Sequence, residues 1–254
     1  MRNGNWEAFD FSGYDAVFHV AGIAHAGLRN ADELYFRVNR DLAVRTAVKS
    51  KSDGVKQFVF MSSMKVYPSP TLKNPVVITA DTRPAPDSAY GLSKLQAEQG
   101  ILSLEEPCFQ AVILRPPMVY GPGCKGNYPK LSQYGQKFSI FPDVDNLRSM
   151  LFIDNLCEFV RLMIENGERG IFFPQNGEYV STSRVVAAIA AFYGRNIRMV
   201  GAGPLLRLAS PFVKKLDNAF STYIYNQSMS EYRQEYRGID FAQSIIQTEG
   251  GKTA

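Results

Sequence analysis

The chain has 254 residues, 45% of them hydrophobic and 20% charged, which is ordinary for one large packed domain or a domain with a smaller lobe. Its net charge of +4 comes from scattered Lys and Arg residues, so it lacks the basic block that marks a nucleic-acid-binding tail. The three cysteines, Cys108, Cys124 and Cys157, suit neither a disulfide framework nor a zinc site, and His19 and His25 lie far from them in sequence, so no metal is expected.

The first residues show no apolar signal-peptide core, and no apolar run approaches the roughly 18 residues of a membrane span. Residues 205–213 come nearest, but Arg207 and Pro211 interrupt them, and they read as an amphipathic helix. A reduced, cytoplasmic protein is the expectation.

In chain order, residues 15–20 form a short apolar run that reads as a buried strand ending at Ala21-Gly22. A helix is predicted over about 31–50, with Leu34, Phe36, Val38, Leu42, Ala43 and Ala47 at roughly helical spacing. Gly54 marks a turn, and residues 57–61 read as a second buried strand leading into Ser62-Ser63. A Pro-rich loop is predicted from Pro68 to Pro86, then a helix from about Ser88 through Ile101. A third strand over 111–114 stops at Arg115-Pro116-Pro117, because adjacent prolines cannot continue a central strand. Fully apolar strands alternating with helices predict a parallel sheet covered on both faces.

Beyond Gly126 the spacing loosens. Helices are predicted over 154–166 and 182–193, an extended piece at 172–174, a helix after Gly201, an aromatic stretch at Tyr223 and Tyr225, and an amphipathic piece over 241–248. This half reads as a lobe packed on the sheet.

The sharpest local signal is Tyr90-Gly91-Leu92-Ser93-Lys94. Tyr90 and Lys94 stand at i and i+4, hence on one helical face. A phenol with a pKa near 10 is a poor base, and a neighbouring ammonium is expected to lower it. Ser63 ends a buried strand, where open α/β sheets bind ligands, and is placed to orient a reacting oxygen. The plain alternative is a surface Tyr/Lys pair beside a serine that only turns the strand end.

Residues 58–67 (FVFMSSMKVY), 88–98 (SAYGLSKLQAE) and 114–123 (LRPPMVYGPG) together resemble the extended short-chain dehydrogenase/reductase family, in its NAD-dependent nucleotide-sugar epimerase/dehydratase branch. The motifs occur in the family's order. The resemblance implies an α/β, Rossmann-like parallel sheet in residues 1–122 and a smaller C-terminal α+β substrate lobe in 123–254, with some segments returning to the sheet. It implies Ser63, Tyr90 and Lys94 as catalytic residues. Ala21, Gly22, Asn39, Met61, Ser62, Tyr90, Lys94, Pro116 and Pro117 would border the cofactor, NAD, with NADP left open. Ser63, Lys65, Met118 and Arg148 would meet the substrate, a nucleotide-diphosphate sugar, Arg148 through its diphosphate. A homodimer is compatible with it.

Two departures from the family pattern stand out. The family opens with a strand, a Gly-x-x-Gly-x-x-Gly turn and a helix, which are missing here, so the sheet is expected to be N-terminally truncated by on the order of 60 residues, two βα units of roughly 30 each. Gly121-Pro122-Gly123-Cys124-Lys125-Gly126 fits G-x-G-x-x-G but follows two prolines and has no acidic residue at the ribose spacing, so it is no substitute. Ser63 is followed by Met64-Lys65 where dehydratases carry Asp-Glu, which favours redox at C4 without water elimination. The expected activity is C4 epimerisation in polysaccharide precursor synthesis, with 4-keto reduction or a catalytically dead fragment as alternatives. His25, Cys124, Lys125, Tyr128 and the stretch 232–237 are weaker candidates, the last reading by default as a solvated helix face.

Overall fold

The computed structural model describes residues 5–24, 31–209 and 213–251. In chain order they form β1 (Ala16–His19), α1 (Ala31–Tyr35), a π-helical segment (Phe36–Asp41), α2 (Leu42–Ser52), β2 (Gln57–Met61), β3 (Val76–Ile78), α3 (Ala89–Leu102) and β4 (Gln110–Leu114). Then come β5 (Met118–Tyr120), α4 (Tyr128–Lys137), β6 (Ile140–Asp143), β7 (Met150–Phe152), α5 (Ile153–Glu165) and β8 (Gly170–Phe172). The chain continues through α6 (Thr182–Phe192), β9 (Arg198–Gly201), α7 (Gly203–Ala209), α8 (Lys214–Phe220), β10 (Tyr223–Tyr225) and α9 (Phe241–Gly250).

These elements fall into two compact units. The first comprises Met1–Pro68, Arg83–Pro116 and Glu158–Pro174, and the second Ser69–Thr82, Pro117–Cys157 and Gln175–Ala254. The units are therefore interleaved along the chain.

The first unit is built on a parallel sheet in the order β1-β2-β4-β8. Period-2 alternation assigns its faces. Phe58 and Phe60 of β2 stand beside Ala111 and Ile113 of β4, and all four are buried with Ala43 and Ala47 of α2 and Ala97 and Ile101 of α3. Burying each of those phenylalanines is worth about 1.5–3 kcal/mol. On the other face Gln57 donates to the carbonyls of Met163 and Glu168, both at 2.8 Å, tying the start of β2 to the end of α5. Strands buried on both faces read as continuous apolar runs, which is why β2 and β4 were legible in advance.

The predicted helix over 31–50 is interrupted. The π segment turns Asn39 fully inward, where a regular helix would carry its register past that point.

The second unit holds three two-stranded parallel pairings, β3 with β10, β5 with β7, and β6 with β9. The predicted Pro-rich loop thus contains a strand, β3, whose partner β10 lies far along the chain. The core of this unit gathers Tyr120, Tyr128, Met150, Phe152, Val185, Ile189 and Phe241. Tyr120 stacks on Tyr128 with centroids 5.2 Å apart. Residues 232–237 are irregular backbone, not the helix expected: Tyr236 is buried, donating to the carbonyls of Gln175 and Ser230, and Arg237 donates to Ser230.

Candidate active site

In the first unit, Ser63, Tyr90 and Lys94 come together at the C-terminal end of the sheet. β2 ends at Met61, and its ladder with β4 is prolonged by Ser62 N–H to Leu114 O (2.7 Å) and Met64 N–H to Pro116 O (2.9 Å). This fixes the backbone on both sides of Ser63. The Ser63 hydroxyl then accepts the Lys65 N–H at 3.1 Å, capping the short turn Met64–Val66.

Helix α3 starts with Ser88, whose side chain accepts the Gly91 N–H at 3.2 Å. The residue after Tyr90 is glycine for a steric reason. A Cβ on Gly91 would lie 2.1 Å from the Lys65 carbonyl oxygen and 2.9 Å from Pro86 Cβ. Only a bare Cα lets the helix approach the turn after Ser63 this closely. The approach sets the Tyr90 phenol beside Ser63, near enough for that hydroxyl to act on its pKa, and the Tyr90 ring packs edge-on against Tyr35 at 5.7 Å.

Lys94 lies one helical turn on and is buried. Its ammonium donates to Met61 O at 2.7 Å and lies 4.6 Å from the centre of the Phe60 ring. Burial pulls its pKa down to about 8, against the opposing charge of Glu98. His19, at the end of β1, is buried with neither ring nitrogen in a well-formed hydrogen bond. Burial first, and then the Lys94 charge, push it down to about 4.

One expectation is corrected here. The Tyr90 phenol was predicted to be lowered by Lys94, but its pKa is raised, because burial outweighs the Ser63 hydrogen bond that lowers it, and Tyr35 adds to the rise. Lys94 is not among the groups that shift it; one N–H of its ammonium donates to Met61 O.

The remaining expected cofactor residues in this unit have defined partners. Asn39 accepts the Ile23 N–H (2.8 Å) and donates to Ile23 O (3.0 Å) and Ser93 Oγ (3.3 Å). Its side chain therefore holds the Ile23 backbone at both its N–H and its carbonyl. A Cβ on Gly22 would come within 3.1 Å of Asn39 Oδ1 and 3.3 Å of Lys94 Nζ, so this strand end is tightly seated. The Ser62 hydroxyl donates to Glu98 Oε1. Glu98 in turn takes Arg115 in a forked pair, Nη2 to Oε2 at 2.6 Å with Nε at 3.1 and 3.2 Å from the two oxygens. Arg115 Nη1 donates to the Tyr67 hydroxyl at 2.9 Å. Sequence reasoning missed Glu98 and Arg115 as site residues, although Glu98 stands at i+4 from Lys94 inside the helix motif.

A sheet-end Ser, Tyr and Lys on this parallel sheet is the arrangement the motifs implied, and residues 4–173 match the NAD dependent epimerase/dehydratase family. The chain belongs to that family. It is 34% identical over 183 residues to UDP-glucose 4-epimerase from Vibrio cholerae, an overlap of 68% of this chain and 56% of that protein. The chain spans about half the length of the curated relatives it matches. In fold it is similar to UDP-glucuronic acid 4-epimerase from Bacillus cereus in complex with NAD, with a TM-score of 0.73 at 17% identity, covering 97% of this chain and 78% of that one. A dTDP-4-dehydrorhamnose reductase from Clostridium acetobutylicum is comparable, with a TM-score of 0.72 at 17% identity, covering 93% and 80%.

The second unit of this family member has its own cavity of about 230 Å³, lined among others by Met118, Asn127, Lys130, Tyr134, Arg148 and Asn218. The Arg148 backbone is held by Val180 on one side (2.9 and 3.2 Å), and its guanidinium donates to Ser221 O at 3.0 Å. Desolvation lowers its pKa, and no carboxylate among the described residues pairs with it. Met118 and Arg148, both expected at the substrate, thus share one cavity. Tyr128 does not line it; it is buried in the core, and burial together with Glu249 raises its pKa. Cys124 packs beside that core, Lys125 is exposed, and His25 lies outside the described residues. Among the described residues no group of three or more His, Cys, Asp or Glu side chains could hold a metal, and no helix is long and apolar enough to cross a membrane.

Proposed function

We propose that this chain carries the chemical centre and the substrate lobe of an NAD-dependent nucleotide-sugar epimerase that oxidises and re-reduces the sugar at C4, for polysaccharide precursor synthesis in the cytoplasm. The observation that carries this reading is the Tyr90 phenol set beside Ser63, with a buried Lys94 one helical turn on, at the end of a parallel sheet. The donor set suits NAD: Lys94 spends one of its three N–H groups on Met61 O, which leaves two for ribose hydroxyls, and the Ala21–Gly22 backbone lies at the same strand end. When bound, NAD supplies a reversible hydride acceptor and a positive ring charge that favours the phenolate of Tyr90.

Ser63 holds the C4 oxygen in line with the phenol. Burial alone keeps Tyr90 protonated, the state needed to give a proton to a ketone oxygen. For the forward step the phenolate form of Tyr90, which Ser63 favours, accepts the proton of the C4 hydroxyl as C4 gives up its hydride. The same proton returns to the oxygen after the 4-keto sugar presents its other face. Arg148 and Lys130 offer positive charge to a diphosphate in the second-unit cavity. Met64 and Lys65 provide no acid/base pair after Ser63, which separates this reading from water elimination.

The test is direct. Purified protein with NAD and UDP-glucose is followed by proton NMR of the anomeric signals for UDP-galactose. Tyr90→Phe should lower turnover by about 10²–10⁴-fold while leaving UDP-sugar affinity within a few fold. Turnover of the variant near that of the parent removes Tyr90 from this role. Oxidation of NADH by a 4-keto sugar without interconversion of the two epimers would establish the ketoreductase in its place.

A further inference from the structure

One buried polar cluster of the first unit is not used by the chemistry above. Glu98 and Arg115 are almost fully buried, with side chains 1% and 6% exposed, and form a forked ion pair. A buried pair of charges is a poor way to gain stability, since apolar residues of similar volume do as well or better. Its partners are informative. Glu98 accepts the hydroxyl of Ser62, the residue directly before Ser63. It stands one helical turn beyond Lys94, close enough for its charge to act on that ammonium. Arg115 is fixed in turn by Tyr67, just past the turn that Ser63 caps, and by its own N–H to Phe172 O at 2.9 Å. The guanidinium also lies over the Tyr67 and Phe173 rings, at 5.3 and 5.8 Å.

We infer that Glu98 is a positioning residue of this site: fixed by Arg115, its carboxylate clamps the strand end that carries Ser63 and holds a negative charge one turn from the Lys94 ammonium. This rests on the proposed role of Lys94 and extends it. The charged and titratable groups around that ammonium are His19 from β1, Tyr90 and Glu98 from α3, and Arg115 behind Glu98. Of these, Glu98 is the one that favours the protonated lysine. The clamp thereby offsets the desolvation that a buried lysine suffers.

The experiment measures the Lys94 titration without relying on catalysis. The chain is labelled with trace acetic anhydride at a series of pH values, and Lys94 acetylation is quantified by mass spectrometry for the parent, for Glu98→Gln and for the double variant Glu98→Leu/Arg115→Met. The double variant leaves no lone buried charge and keeps the fold if the single one does not. Thermal melts confirm which variants are folded. The expected result is a labelling midpoint near pH 8 in the parent, moved down by about one unit in the folded variants. Where turnover is measurable, its alkaline limb should move down by the same amount, which a purely structural role would not produce. An unmoved midpoint in a folded variant overturns the inference. A parent without turnover but with the expected labelling shift would refute the epimerase reading and leave the clamp standing.

Discussion

Replacing Gly91 by alanine tests the geometry on which the candidate site depends. The added Cβ would stand 2.1 Å from the Lys65 carbonyl oxygen, where a tolerable contact is a little over 3 Å, so helix and turn must part by about 1 Å. The obstacle is backbone, which no side-chain rotation can clear. Overpacking of this kind costs about 1–3 kcal/mol, against about 1 kcal/mol regained from the better helix propensity of alanine. The net stability change is therefore small, from about 0 to 2 kcal/mol of destabilisation. The functional effect is larger, because the displacement moves Tyr90 away from Ser63, and a 1 Å misplacement of reacting groups can cost about 10²-fold in rate. Gly100→Ala in the same helix is the control: its Cβ meets only the Val44 side chain, at 2.7 Å, which can give way. Melting temperatures and epimerase turnover of the two variants would be compared. If Gly91→Ala turned over like the parent, the close approach of α3 to the turn after Ser63 would not be what aligns the phenol.

Two further outcomes follow from the buried cations and imidazole. His19 has its folded pKa lowered from 6.5 to about 4, so the unfolded chain binds its proton first. The contribution to stability is complete above pH 6.5 and lost as pH falls from 6.5 to about 4, amounting to about 3 kcal/mol at 1.36 kcal/mol per unit. Denaturant unfolding across that range should show the slope, and His19→Asn should flatten it; an unchanged slope would mean that the imidazole is not held neutral. Arg148→Met removes the cation that no carboxylate pairs in the second-unit cavity and should weaken UDP binding by about 10–100-fold in calorimetry, since a hydrogen bond to a charged group is worth about 1.5–3 kcal/mol. Unaltered UDP affinity would take the diphosphate away from that cavity.

What the sequence by itself determined is local in nature. The apolar runs of β2 and β4, the i, i+4 placing of Tyr90 and Lys94, and the stop at Pro116-Pro117 depend on neighbours a few residues away, and each is visible without coordinates. The family followed from these motifs in order. What only the tertiary structure decided depends on distant partners. Strand β3 exists because β10 pairs with it, and its Pro-rich surroundings hid it. The π segment that turns Asn39 inward is set by the Ile23 backbone and Ser93, which Asn39 bonds. The sign of the Tyr90 shift depends on how deeply the phenol is buried, which cannot be read from spacing. Glu98 lay in plain view in the helix motif, yet only its contact with Arg115 and Ser62, brought together from three stretches of chain, distinguishes it from an ordinary exposed glutamate.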